Sequence, residues 1–176
     1  MNRLRLYKRA YRLLEEPIYS GGDCGTFCGK KCCVGEKGWG IYLLPGEDVL
    51  VLSNMFRIEK HRRRIYSVPD SVQYLYFAYC NQSCAHSEGM RDRRPLQCRT
   101  YPLMPYLTEN GHLLFLKNPI GDCPFPMEML NPQFIKRCFM AWKLLLRIPE
   151  VKELLKYDSK FIRLNRPFAL GDRQQV

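Results

Sequence analysis

The chain has 176 residues, 46% of them hydrophobic, and 28 Lys and Arg against 17 Asp and Glu give a formal charge of +11. That length allows one domain, or one domain with a helical appendage, and the apolar share suits a chain that buries a core. No apolar stretch of signal-peptide length follows the first arginines, and no run approaches the roughly 18 residues that span a bilayer, so a cytoplasmic chain without a membrane span is expected.

Residues 2–16 place Leu4, Tyr7, Tyr11 and Leu14 on one helical face, with Ala10 and Leu13 beside them and Pro17 beyond the end. A membrane-surface helix has a similar pattern, but Glu15, Glu16 and the tyrosines favour docking on the protein's own core. Residues 17–147 then form the expected body of the molecule, and residues 148–176 a C-terminal helix and tail. The body opens with Asp23-Cys24-Gly25-Thr26-Phe27-Cys28-Gly29-Lys30-Lys31-Cys32-Cys33, four cysteines within ten residues at spacing C-x3-C-x3-C-C. Glycines at 21, 22, 25, 29, 35, 38 and 40 mark this nest as a loop that turns tightly and aims N–H groups at sulfur.

Gly38 to Leu44 reads as a short strand. Pro45-Gly46-Glu47-Asp48 then has the look of a helix start, with Val49, Leu52 and Phe56 at helical spacing as far as Arg57. Lys60, His61, Arg62, Arg63 and Arg64 make residues 58–68 a solvated loop or strand face. Residues 72–79 read as a strand and residues 80–98 as a loop carrying Cys80, Cys84 and Cys98. Residues 104–108 and 112–117 flank Glu109-Asn110-Gly111, whose Asn-Gly pair supplies the positive φ angles of a tight hairpin. A further loop holds Cys123-Pro124. Asn131-Pro132 caps a helix to about Arg147, with Ile135, Cys138, Phe139, Trp142 and Leu145 or Leu146 as its inner stripe. Pro149 starts another helix with Val151, Leu154 and Leu155 inward, and a loose tail runs from Asn165. The expected fold is a small α+β domain, a short antiparallel sheet with flanking N- and C-terminal helices and cysteine-bearing loops.

Nine cysteines cannot all pair with one another, and without a secretory signal metal ligation is favoured over disulfides. They cluster at 24 to 33, 80 to 98 and 123 to 138, and thiolates from distant loops converging on one soft ion is how a compact metal site closes. Arg94 and Arg99 suit either an anionic cluster or ordinary Asp and Glu partners. His86, two residues after Cys84, is a weaker ligand candidate, and His61 and His112 read as structural or solvated. No Ser–His–acid arrangement or paired carboxylate stands out.

The nest, Leu44-Pro45-Gly46-Glu47, the string Arg94-Pro95-Leu96-Gln97-Cys98-Arg99-Thr100-Tyr101-Pro102 and Cys123-Pro124 together resemble the cysteine-cluster family, also called CxxCxxCC or YkgJ-like, of zinc- or iron-chelating domains. The resemblance covers roughly residues 20–145. It implies Cys24, Cys28, Cys32, Cys33, Cys98 and Cys123 as ligands, with Cys138 a further match; Cys80 and Cys84 are not matched by it and complete the candidates through the clustering alone. The chain departs from the pattern in its x3 gaps, where x2 is usual, and in having Glu88 and Met90 where a cysteine often precedes the Arg-Pro. The family implies a metal site rather than a reaction. Zn2+ and a 4Fe-4S cluster both suit four thiolates, and the crowded Cys32-Cys33 pair tips the choice towards the cluster.

Two other readings stand beside this one. Flagellin lysine methylases are similar in having Cys-Cys followed by Gly-Trp, here Cys32-Cys33 and Gly38-Trp39, which implies a metal-dependent methyltransferase acting on protein lysine. A basic zinc module that binds nucleic acid would require Lys and Arg clustered on one face with exposed aromatics.

Overall fold

The computed structural model describes residues 2–22, 25–32, 38–51, 56–61, 69–73, 75–80, 94–118 and 123–165. Helix α1 spans Arg3–Leu13, and Asn2 caps it by accepting the Leu4 N–H at 2.8 Å. Its buried stripe is Leu6, Tyr7, Ala10 and Leu14, whereas Leu4 is exposed. The expected stripe is rotated because the tyrosines set the face with their polar ends. The Tyr7 hydroxyl donates to the Pro45 carbonyl at 2.9 Å, and the Tyr11 hydroxyl to Glu47 at 2.7 Å. The helix therefore docks on the protein's own core.

After β1 (Gly40–Tyr42) the chain does not form the expected helix. Residues 45–51 are turns, and Phe56–His61 is strand β2. Gly46 has φ +85, outside right-handed helix, and Glu47 is wholly buried instead of solvated at a helix start. One Glu47 oxygen accepts the Leu44 N–H at 2.9 Å; the other accepts Leu96 N–H and Tyr11 O–H, each at 2.7 Å. These contacts hold the segment as a turn, and Val49, expected inward, is exposed. Leu52 lies outside the described residues.

Strand β3 (Leu75–Cys80) lies centrally in an antiparallel sheet of order β1-β3-β2, with Gly40 opposite Tyr79 and Ile58 opposite Ala78. Gly40 is required by close approach, since a Cβ there would sit 2.3 Å from the Ala78 carbonyl oxygen. One sheet face closes a small core of Leu43, Val51, Phe56 and Ala78.

The stretch expected as a loop to residue 98 ends instead in a short helix, α3 (Leu96–Thr100); a single turn at Gly25–Cys28 is α2. Hairpin strands β4 (Leu103–Leu107) and β5 (Leu113–Lys117) pair in register as a second, separate sheet. Its turn is wider than a two-residue hairpin. Gly111 N–H donates to the Thr108 carbonyl at 2.9 Å, and of Asn110 and Gly111 only Gly111 has positive φ.

Helix α4 (Pro132–Leu145) begins as the Asn-Pro pair implies, with Asn131 accepting the Gln133 N–H at 2.9 Å. Its stripe is Phe134, Cys138, Ala141, Trp142 and Leu145, so Phe134 and Ala141 take the places expected of Ile135 and Phe139, which are only partly buried. Helix α5 (Pro149–Asn165) buries Val151, Leu154 and Leu155 as expected. The tail expected from Asn165 lies almost wholly outside the described residues. Helices α1, α3, α4 and α5 and both sheets contribute to one main core, with Tyr7, Phe115, Phe125, Phe134 and Trp142 among its fully buried members. The fold is thus a small α+β single domain.

Because both Glu47 oxygens already accept N–H or O–H donors, Glu47→Gln forces an amide N–H against one of them. It is expected to lower stability by about 1–3 kcal/mol in chemical denaturation. Burial raises the Glu47 pKa, so the folded state binds that proton more tightly than the unfolded chain. The associated stability is full below the ordinary value of 4.5 and is lost as pH rises through the raised one. The deficit of Glu47→Gln should therefore narrow from acidic towards neutral pH.

Candidate metal centre

The nest is shaped first by its backbone. After the α2 turn, Lys30 N–H donates to the Gly25 carbonyl at 3.0 Å, and Gly29 and Lys30 both take left-handed φ, +60 and +61. That reversal lies between Cys28 and Cys32, both half-buried. Aromatic packing then fixes where the segment sits. The fully buried Phe125 ring meets Phe27 edge-on at 5.5 Å and Tyr19 at 5.3 Å. Phe125 follows Cys123 by two residues, so this contact brings the nest to the Cys123-Pro124 loop.

Cys123 is buried, and burial is the main reason its thiol pKa is raised. Cys28 and Cys32 raise it further by charge, which marks all three as electrostatic neighbours. The Phe125 N–H and the Tyr101 hydroxyl bond the sulfur and act the other way. Cys28 and Cys32 of the first cluster therefore lie near Cys123 of the third, and the Arg-Pro string reaches Cys123 through Tyr101.

The other described candidates lie on other elements. Cys98 lies on α3, half-buried, with its charge felt by the Tyr11 hydroxyl. Cys138 is fully enclosed in the main core on α4. Cys80 ends β3 opposite Phe56, and its N–H donates to the Trp39 carbonyl at 2.8 Å. Cys24, Cys33, Cys84 and His86 lie outside the described residues. Among the described residues no three Cys, His, Asp or Glu side chains form a ready-made ion site.

Arg99, one of the two arginines expected near the cysteines, has other partners. Arg99 is buried, donates to the Arg94 and Tyr11 carbonyls at 3.0 and 3.2 Å, and lies 4.5 Å over the Tyr11 ring. Its charge also lowers the Glu47 pKa against the dominant effect of burial. His61 belongs to an aromatic cluster, stacked on Phe77 at 5.5 Å with Nδ1 3.2 Å from the Tyr42 hydroxyl, and His112 is exposed in the hairpin turn. The residues that sequence reasoning missed are Tyr11, Glu47, Tyr101 and Phe125. Only Glu47 and Tyr101 carried a signal, as members of the two motifs.

Among the described residues no helix is long and apolar enough to cross a membrane. No family model, curated protein or solved structure matches the chain.

The raised pKa gives a kinetic expectation. In chelator-treated protein, Cys123 should be alkylated by iodoacetamide more slowly than Cys28 or Cys32, as followed by peptide mass spectrometry at neutral pH. Tyr101→Phe removes a bond that lowers the Cys123 pKa, so it should slow that alkylation further. Faster reaction in Tyr101→Phe would show that the hydroxyl acts by blocking access instead.

Proposed function

We propose that this chain is a thiolate metal-binding protein of the cysteine-cluster kind, in which Cys28, Cys32 and Cys123 act with Cys24, Cys33 and Cys98. The packing of Phe27 of the nest on Phe125, two residues after Cys123, carries this reading, because it sets the two cysteine-bearing loops side by side. Neighbouring thiolates without a cation repel one another, and the charges of Cys28 and Cys32 add to burial, the main cause, in raising the Cys123 pKa. A divalent ion or an iron–sulfur cluster removes the cost and holds the thiolate form. The resemblance to zinc- and iron-chelating domains supports the same conclusion. A reducing cytoplasm, where unpaired thiols persist, is the compartment that suits it.

Of the two metals, a 4Fe-4S cluster is the preferred occupant. It accepts ligands from scattered loops, and adjacent cysteines such as Cys32-Cys33 crowd a single tetrahedral ion.

Protein purified without oxygen should be brown, contain about four iron atoms per chain and bleach with dithionite. Cys28→Ser and Cys123→Ser should each lower the metal content by more than half. Colourless protein with stoichiometric zinc would replace the cluster by a zinc site. Metal-free protein as stable as the purified form would overturn the proposal altogether, because at a thousandfold metal excess over Kd binding adds about 4 kcal/mol. Each thiol proton released on binding should weaken Co2+ uptake about tenfold per unit of falling pH, read from the thiolate-to-cobalt absorbance.

A further inference from the structure

Helices α1 and α4 carry eight Lys and Arg between them, five and three, and neither contains Asp or Glu. They pack against each other and run antiparallel. At one end Asn131 at the start of α4 donates to Glu16 at 3.2 Å and to the Ile18 carbonyl at 2.8 Å; at the other, Arg3 pairs with Glu150. Each helix buries its apolar stripe, so at 3.6 residues per turn Arg5, Lys8, Arg9 and Arg12 lie opposite the core on α1. Lys136 and Lys143 do the same on α4, and Arg137 is exposed beside them. All seven are exposed, and none forms an ion pair among the described residues.

The charges on both helices are of one sign only. Here Arg5 and Arg9, Lys8 and Arg12, and Arg9 and Arg12 are like-charge pairs at three- or four-residue spacing, which destabilises a free helix. Such a surface gains most when a polyanion covers it.

We propose that the paired outer faces of α1 and α4 bind the phosphate backbone of double-stranded nucleic acid. Three other occupants fit less well. An anionic membrane takes up amphipathic helices through an apolar face, but that of α1 is committed to the core, and Leu4 and Met140 are the exposed large apolar residues of these helices. An acidic protein needs an apolar or aromatic anchor at the centre of its interface. A single strand needs exposed aromatic rings for base stacking, and every aromatic residue of α1 and α4 is buried or half-buried. A duplex needs only a row of cations. The 11 residues of α1 extend about 16 Å, a length over which a duplex presents about ten phosphate charges. The proposal does not rest on the metal reading.

The test measures anisotropy of a labelled 20-base-pair duplex with the full chain, titrated between 50 and 200 mM salt. Binding should be detectable at micromolar protein at low salt. Combined Arg5→Gln, Arg9→Gln and Arg12→Gln should weaken it at least about tenfold and reduce the slope of log K against log salt by nearly three. Lys136→Gln with Lys143→Gln should reduce that slope by nearly two. All five positions are exposed, and circular dichroism checks that the variants fold. Replacing the exposed Lys152, Lys156 and Lys160 of α5 by Gln should leave affinity within about threefold. No binding at 50 mM salt, or equal loss in the α5 variant, would overturn the proposal. So would tighter binding to phosphatidylserine vesicles or to a single strand of the same length.

Discussion

The buried carboxylate of Glu47 is the constraint on which the arrangement of the other parts depends. It joins α1 through Tyr11, the turn after β1 through the Leu44 N–H, and the start of α3 through the Leu96 N–H. Burying an ion of this kind costs several kcal/mol, and hydrogen bonds to a charged group return about 1.5–3 kcal/mol each. Three such bonds and the nearby Arg99 charge offset only part of the cost, since burial still leaves the Glu47 pKa raised. The contribution of Glu47 is therefore orientation more than net stability. It sets the start of α3, and Tyr101, the residue that follows α3, reaches the Cys123 sulfur. A carboxylate at the far side of the motif thus fixes a hydrogen bond at the candidate centre.

The same carboxylate explains where sequence reasoning succeeded and where it failed. The hairpin, α4 and α5 were legible because their signals are local: a Gly that turns the chain, an Asn cap, a Pro in the first turn, apolar residues at helical spacing. The helix expected from residue 45 had equally good local signals, an early acid and the spacing of Val49, Leu52 and Phe56. Its failure is non-local, because Glu47 is held by residues 36 and 49 positions away in the chain. The stripe of α1 rotated for a related reason. Tyr7 and Tyr11 are half polar, and the groups their hydroxyls reach are invisible in a helical wheel.

At the candidate centre the grouping of cysteines along the chain was legible, and the nest and the Cys123 loop were expected to share one site. What brings these two together is Phe125, packed between Tyr19 and Phe27. A phenylalanine two residues after a cysteine carries no signal of that kind, because its partners are about a hundred residues away. Arg99 illustrates the opposite case. From sequence it suited a cluster or an acid equally, and the buried Glu47 and the half-buried Tyr11 ring beside it decided for the acid and its aromatic neighbour.

Charge is also segregated by depth. Helix α1 faces Glu47 with Tyr11 and solvent with Arg12, while α4 places Cys138 inward and Lys136 outward. The Glu47 carboxylate, wholly buried behind α1, places negative charge inside this shell when it is ionised. Across about 10 Å, one helix diameter, opposite unit charges attract by about 1.7 kcal/mol at an effective dielectric of 20, before salt screening with a Debye length of about 8 Å. Interior negative charge can thus ease the mutual repulsion of the outer cations without cancelling their field. The surface cations meet solvent directly and would act on a polyanion at contact distance, where each pair is worth more than one acting across a helix.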